Sequence, residues 1–250
     1  MGVGLACGGT AAGPAEKKGV AANQHTRRTP ASGTGIRILP YSLQAFTQFR
    51  PRRTATLVSK AKTMIDLFDT AQELQEFFFA RKWRFCFIGG LALQRWGEPR
   101  VTQDVDCTLF TGFGDEETFT SELTKQYASR IENAEEFALA HRVLLLQSKA
   151  GIGIDIALGG LPYEMDVVTR ASDFEFLPSV VLRTCSAEDL IILKAFADRT
   201  RDWADIEGIL LRHGSDLRWK LVYSELQPLC ELKESPRILE RLKELQSELR

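Results

Sequence analysis

The chain has 250 residues, 44% of them hydrophobic and 26% charged, with a net charge of −1. No run approaches the roughly 18 consecutive apolar residues that a membrane-spanning helix needs, so the sequence excludes an integral membrane protein of that kind. Five scattered cysteines without a CxxC pair argue against a disulfide scaffold or a structural zinc site, and they favour a reducing, cytoplasmic compartment.

The first 63 residues differ in character from the rest of the chain. They carry a net charge of +9, whereas the remaining residues carry −10. They also hold eight of the 19 glycines and four of the nine prolines, without a sustained helix or strand period. We therefore expect a disordered basic N-terminal extension. It is an organelle transit peptide, a basic arm for nucleic acid or an over-extended gene start. The third interpretation is favoured because Met64 directly precedes the first periodic segment.

The hydrophobic pattern beyond residue 64 alternates between helix and strand periods. It predicts an α+β fold with two parts, a mixed β-sheet flanked by helices over residues 64–185 and a helical part over 186–250. The predicted helices cover residues 65–81, 91–96, 116–130, 134–140, 187–197, 203–212, 220–229 and 236–249, and the predicted strands cover 83–88, 104–110, 142–148, 152–158 and 180–184. The last helix is either a docking helix or the final helix of the domain.

A glycine pair, Gly89-Gly90, follows the first predicted strand and opens a helix. Backbone N–H groups at such a turn can approach a phosphate closely, because glycine has no Cβ and the helix N-terminus attracts anions. The pair is neither a P-loop nor a GxGxxG fingerprint. A tight strand-to-helix turn explains the two glycines equally well.

Three aspartates form the candidate chemical centre. Asp104 and Asp106 project from the same face of one strand, and Asp155 faces away from the core on another. If the strands are neighbours, carboxylates about 5 Å apart repel by roughly 3 kcal/mol at an effective dielectric of 20, so the cluster needs a cation. All-oxygen ligands favour magnesium over zinc. Alternatively, Asp104 and Asp106 form the solvated face of an edge strand, but the glycine pair and Asp155 favour the metal site.

These elements together resemble the DNA polymerase β-type nucleotidyltransferase superfamily. The resemblance rests on Gly89-Gly90, on Asp104-Val-Asp106 after thirteen intervening residues, and on the isolated strand aspartate Asp155. Arg100-Val-Thr102 and the later segment from Ser186 to Ile206 narrow it to the AbiEii-type nucleotidyltransferases, the toxins of bacterial toxin–antitoxin pairs, and their small relatives. The resemblance implies a nucleotidyltransferase-like sheet with flanking helices.

The resemblance also implies a role for each candidate residue. Asp104, Asp106 and Asp155 would hold two Mg²⁺ ions, and Asp155 would serve the ion that activates the acceptor hydroxyl. The residues implied to bind the nucleoside triphosphate are Gly89, Gly90, Arg100, Thr102, Lys194 and Arg199. Lys194 and Arg199 are also compatible with a solvated helix face, and Arg199 with an i,i+3 pair to Asp202.

The function implied by the resemblance is magnesium-dependent transfer of a nucleoside monophosphate from a nucleoside triphosphate to an RNA, for which tRNA is a candidate, or to a protein. The toxin relatives add an antitoxin protein as a candidate partner. The alternative is a catalytically weak module that keeps the fold and serves in binding or regulation, although the retained carboxylates argue against it.

Overall fold

The computed structural model describes residues 60–249, with side chains from residue 64 onward. The described helices are α1 (Lys60–Ala80), α2 (Gly89–Trp96), α3 (Glu116–Gln126), α4 (Ala134–His141), α5 (Pro162–Arg170), α6 (Ala187–Ala197), α7 (Thr200–His213), α8 (Trp219–Leu232) and α9 (Arg237–Glu248). The described strands are β1 (Phe85–Phe87), β2 (Asp104–Phe110), β3 (Ala128–Ser129), β4 (Val143–Gln147), β5 (Gly153–Gly159), β6 (Ser172–Leu177) and β7 (Val180–Thr184).

The seven described strands form one mixed sheet in the order β3-β4-β5-β2-β1-β7-β6. Strand β2 lies in the middle, parallel to β5 on one side and antiparallel to β1 on the other. Strands β1 and β7 are also parallel, and the remaining neighbours are antiparallel. This arrangement confirms the predicted mixed sheet with flanking helices.

Each face of the sheet carries its own hydrophobic core. One core packs α1, α3 and α4 against inward side chains such as Phe87, Cys107 and Ile156. The other joins α2, α5 and the C-terminal helices against the opposite face, which Cys86 lines. Because side chains on a strand alternate, Val105 and Cys107 enter the first core while Asp104 and Asp106 point to the second face.

The sequence pattern predicted several elements with the bounds that the structure shows, including β2, β7 and α6. It missed α5 and β6. Helix α5 begins at Pro162 and is stabilised by Glu164, whose carboxylate accepts hydrogen bonds from the backbone N–H groups of Gly160 and Leu161. Most residues of the edge strand β6 are exposed, and its apolar alternation is limited to Phe174 and Phe176 on either side of Glu175. The predicted helix over 116–130 ends at Gln126, and β3 follows.

The two expected domain boundaries, at residues 64 and 186, can be located among the helices and strands of the structure. Helix α1 already begins at Lys60, so the expected boundary at residue 64 lies inside this helix. The expected boundary at residue 186 falls between β7 and α6, and the division of the chain into two parts there stays a prediction. The predicted disorder of the N-terminal extension concerns residues that lie, up to 59, outside the described range. Among the described helices, none combines the length and the apolar character needed to cross a membrane.

Candidate active site

The three predicted aspartates lie on neighbouring strands. In the β2–β5 register Asp106 is directly opposite Asp155, and Asp104 is opposite Gly153. Asp106 and Asp155 are only 6% and 9% exposed. Because β2 has a strand on each side, the alternative of a solvated edge strand is wrong. The three aspartates lie on adjacent strands, and their role as metal ligands stays a prediction.

The glycine turn brings the start of α2 against this cluster. Gly89 has a φ of +56°, and a Cβ there would lie 2.2 Å from Asp106 Oδ2. Gly90 donates a 3.4 Å hydrogen bond from its backbone N–H to the same oxygen. A Cβ on Gly90 would lie 2.3 Å from Thr102 Oγ1. Both glycines are therefore required by a close approach of backbone to side chains.

An arginine that sequence reasoning missed lies among the carboxylates. Arg130 follows β3, and its Nη2 donates a hydrogen bond to Asp155 Oδ1. Its Nη1 lies 3.9 Å from Asp104 Oδ1. The sequence pattern placed Arg130 at the end of a helix, and only the pairing of β3 with β4 brings it to the acids. No local motif signals such a contact.

The carboxylates suit a hard divalent cation in their chemistry. Asp104, Asp106 and Asp155 supply only oxygen ligands, which favour magnesium. Asp104 Oδ1 is buried and has no hydrogen-bond partner, so the site has an acceptor that a cation would satisfy. Within the part of the chain that the structure describes, no three His, Cys, Asp or Glu side chains lie close enough together to hold a metal ion. Binding of a metal ion therefore requires some rearrangement of these side chains.

The predicted cationic residues belong to one ion-pair network. Arg100 donates hydrogen bonds from Nε and Nη2 to the two carboxylate oxygens of Asp205, at 3.0 and 2.9 Å. Lys194 Nζ lies 2.5 Å from Asp205 Oδ2 and 3.4 Å from Asp202 Oδ1. Arg199 donates to both carboxylate oxygens of Asp202. The network thus joins the loop before β2 to helices α6 and α7.

Charge interactions tune this network and connect it to the aspartates. Burial alone would raise the pKa of Asp205, but Arg100 and Lys194 outweigh that effect and lower it. Burial alone would lower the pKa of Arg199, yet Asp202, Asp106 and Asp205 together raise it. The charge of Asp106, one of the three aspartates of the candidate site, therefore acts on Arg199.

The structure separates the candidate binding residues into two groups. Gly89, Gly90 and Thr102 lie against the carboxylate cluster, whereas Arg100, Lys194 and Arg199 are held by the carboxylates of α7. The interpretation of Lys194 as a solvated residue is wrong, because it is only 5% exposed. The i,i+3 pair between Arg199 and Asp202 is confirmed. That any of these residues binds a nucleotide stays a prediction.

Comparison with known proteins gives a match to one sequence family and a distant similarity to several solved structures. A search of curated protein sequences found no match. Similar solved structures include an antigenic nucleotidyltransferase-like protein from Paracoccidioides brasiliensis, with 14% identity, coverage of 71% of this chain and 92% of that one, and a TM-score of 0.43. Lincomycin-bound lincosamide antibiotic adenylyltransferase LnuA has 12% identity, coverage of 62% and 98%, and a TM-score of 0.40.

A third solved structure, of the antibiotic-resistance factor ANT(2'')-Ia, has 14% identity, coverage of 75% of this chain and 99% of that one, and a TM-score of 0.39. The family model described as "Nucleotidyl transferase AbiEii toxin, Type IV TA system" matches residues 72–227, more than half of the chain. The matched range contains every candidate site residue.

Proposed function

This chain belongs to the AbiEii nucleotidyltransferase family, and from that premise we propose that it transfers a nucleoside monophosphate from a nucleoside triphosphate to an RNA or protein acceptor, with magnesium held by Asp104, Asp106 and Asp155. The observation that carries the proposal is the register of β2 and β5, which sets Asp106 opposite Asp155 beside the glycine turn. A cation bound between these two buried carboxylates would offset the repulsion of their charges and so stabilise the folded protein.

Each carboxylate has a distinct part in this scheme. Asp104 and Asp106 lie two residues apart on the same face of β2, so both can ligate ions near the triphosphate. When bound, magnesium would neutralise the phosphate charge and lower the pKa of an acceptor hydroxyl. Asp155, on the adjacent strand, would accept the proton of that hydroxyl. Displacement at the α-phosphorus would then release pyrophosphate.

The glycine turn is proposed to bind phosphate oxygens. The N-terminus of α2 lies at Gly89-Gly90, and helix N-termini favour anions through their free N–H groups. The hydrogen bond from the Gly90 N–H to Asp106 Oδ2 is long, at 3.4 Å. A phosphate oxygen can therefore replace the carboxylate as the acceptor. Thr102 lies directly beside Gly90.

The three cations differ in how well they can reach a nucleotide. The side chains of Arg199, Arg100 and Lys194 are 39%, 24% and 6% exposed. Arg199 and Arg100 are therefore proposed to pair with the triphosphate. Buried Lys194 instead fixes Asp202 and Asp205, and through them the positions of both arginines.

The acceptor and the biological role are proposed from the resemblance to this family. The family description names a toxin of a toxin–antitoxin system. We therefore propose that the chain is a toxin whose cognate antitoxin is a second protein, that it acts in the cytoplasm, and that tRNA is its first candidate acceptor.

The test is a transfer assay with the purified protein. Each of the four nucleoside triphosphates, labelled at the α-phosphate, is incubated with magnesium and either total tRNA or a mixture of cellular proteins. We expect label on one class of acceptor with at least one nucleotide, and no label in EDTA. Absence of transfer from every nucleotide, together with absence of magnesium-dependent nucleotide binding in calorimetry, would favour a binding module instead.

A further inference from the structure

We propose that Arg130 is an internal counter-ion that a divalent metal ion displaces, so that metal loading depends on the nucleotide. This inference rests on the proposed metal site and deepens it. It assigns two successive contacts to Arg130. The guanidinium neutralises Asp155 and Asp104 before metal binds, and it binds a phosphate of the nucleotide afterwards.

The contacts of Arg130 match the positions that a metal ion would need. Its guanidinium contacts Asp155 on β5 and lies 3.9 Å from Asp104 on β2, bridging the two strands. The side chains of Arg130 and Asp155 are only 11% and 12% exposed, so water screens this pair poorly. A metal ion bound to Asp155 would lie close to the guanidinium of Arg130. Because the two positive charges repel each other, both cannot occupy this position at once.

A glycine makes room for this arginine. Gly153 faces Asp104 across the β2–β5 pair. A Cβ there would lie 2.2 Å from Asp104 Oδ1 and 2.9 Å from Arg130 Nη1. The guanidinium thus occupies space that any other residue at position 153 would fill.

The backbone of Arg130 is held by strand β4, so displacement of the guanidinium would involve the side chain alone. The Arg130 N–H donates a 3.0 Å hydrogen bond to the carbonyl of Leu145 on β4. A displaced guanidinium therefore remains within one side-chain length of the carboxylates. An incoming triphosphate is the anion best placed to receive it, because arginine binds phosphate oxygens in bidentate fashion. Metal alone has to break the Arg130–Asp155 pair without this compensation.

The experiment measures binding of Mn²⁺, as a probe for magnesium, by calorimetry and by electron paramagnetic resonance in the absence of nucleotide. We compare wild type, Arg130→Met and, as a matched control, Arg142→Met. Arg142 and its partner Glu116 are each 12% exposed, as closely buried as the Arg130 pair, but they do not touch the aspartates. We expect Arg130→Met to bind Mn²⁺ about tenfold more tightly than wild type, and Arg142→Met to match wild type.

For nucleotide binding we expect the opposite order of affinities, with wild type binding more tightly than Arg130→Met. With Mn²⁺ saturating, a non-hydrolysable triphosphate should bind Arg130→Met about tenfold more weakly than wild type, because a phosphate contact is missing. Arg130→Gln, which keeps hydrogen-bonding capacity, provides the same comparison if Arg130→Met does not fold. Equal Mn²⁺ affinity in wild type and the folded variant would overturn the counter-ion role while leaving the metal site intact. Absence of Mn²⁺ binding in every variant, even with nucleotide, would overturn the metal site as well.

Discussion

The guanidinium of Arg100 and the carboxylate of Asp205 form a bidentate ion pair, with nitrogen–oxygen distances of 3.0 and 2.9 Å. The pair joins the loop before β2 to helix α7, 105 residues further along the chain. Lys194 contacts the same carboxylate from α6. This cross-link holds the segment that leads into Asp104 against the C-terminal helices.

Replacement of Arg100 by Ala should therefore reduce both stability and nucleotide binding. Loss of a partly buried, charged hydrogen-bonding partner costs about 2 kcal/mol of unfolding free energy, and Lys194 limits the loss by still facing Asp205. The measurement is chemical unfolding together with calorimetric titration of a non-hydrolysable triphosphate in magnesium. Asp205→Asn provides the comparison, since it breaks the same pair without removing the arginine. Unchanged nucleotide affinity in Arg100→Ala would show that its role is purely structural.

The same carboxylate should contribute to acid sensitivity. Burial raises the pKa of Asp205, but Arg100 and Lys194 outweigh it, so the folded-state pKa lies below the ordinary 3.8. The unfolded chain binds the proton first as pH falls, so this stabilisation is complete above 3.8 and is lost as pH falls through the folded-state pKa. Asp205→Asn should therefore lose less stability than wild type between neutral pH and about pH 3. Urea unfolding across this range measures it, with exposed Asp173→Asn as the control. Equal slopes in Asp205→Asn and wild type would contradict the assignment.

The glycine turn allows a comparison of two left-handed residues. Gly89 and Gly112 have φ of +56° and +76°, so alanine at either should cost about 1–2 kcal/mol in backbone strain. Only at Gly89 does the added Cβ meet Asp106, whereas nothing lies within 4 Å at Gly112. Gly89→Ala should therefore also abolish magnesium-dependent nucleotide binding, and Gly112→Ala should retain it. Thermal melts with and without magnesium and nucleotide compare the variants. If both variants behave alike, the close approach at Gly89 has no part in the site.

The sequence predicted those features of the candidate site that depend on the local pattern of residues. Alternation along β2 placed Asp104 and Asp106 on one face, and the apolar neighbours of Asp155 fixed its direction. The glycine pair marked the start of α2 because a strand-to-helix turn of this kind needs a positive φ. All these signals lie within a few residues of the side chains they concern.

The contacts of the charged side chains could not be predicted in the same way. Arg130 reaches Asp155 through the pairing of β3 with β4, and Arg100 reaches Asp205 through the packing of α7. Each contact joins residues distant in the chain and depends on sheet order, which no local period encodes. Buried Lys194 resembled a surface lysine because its two partners lie on the following helix.

Thermal melts of wild type and Asp106→Asn, each in EDTA and in magnesium with nucleoside triphosphate, test whether Asp106 is a metal ligand. In EDTA we expect the two to melt within about 3 °C of each other, since the amide keeps the shape of the side chain and removes one charge of a repelling cluster. Magnesium with nucleotide should raise the melting temperature of wild type alone, because an amide does not supply the anionic oxygen that a hard cation needs. An Asp106→Asn protein that is much less stable in EDTA, yet gains the full wild-type increment with magnesium and nucleotide, would show that Asp106 is a structural residue and that the metal site lies elsewhere.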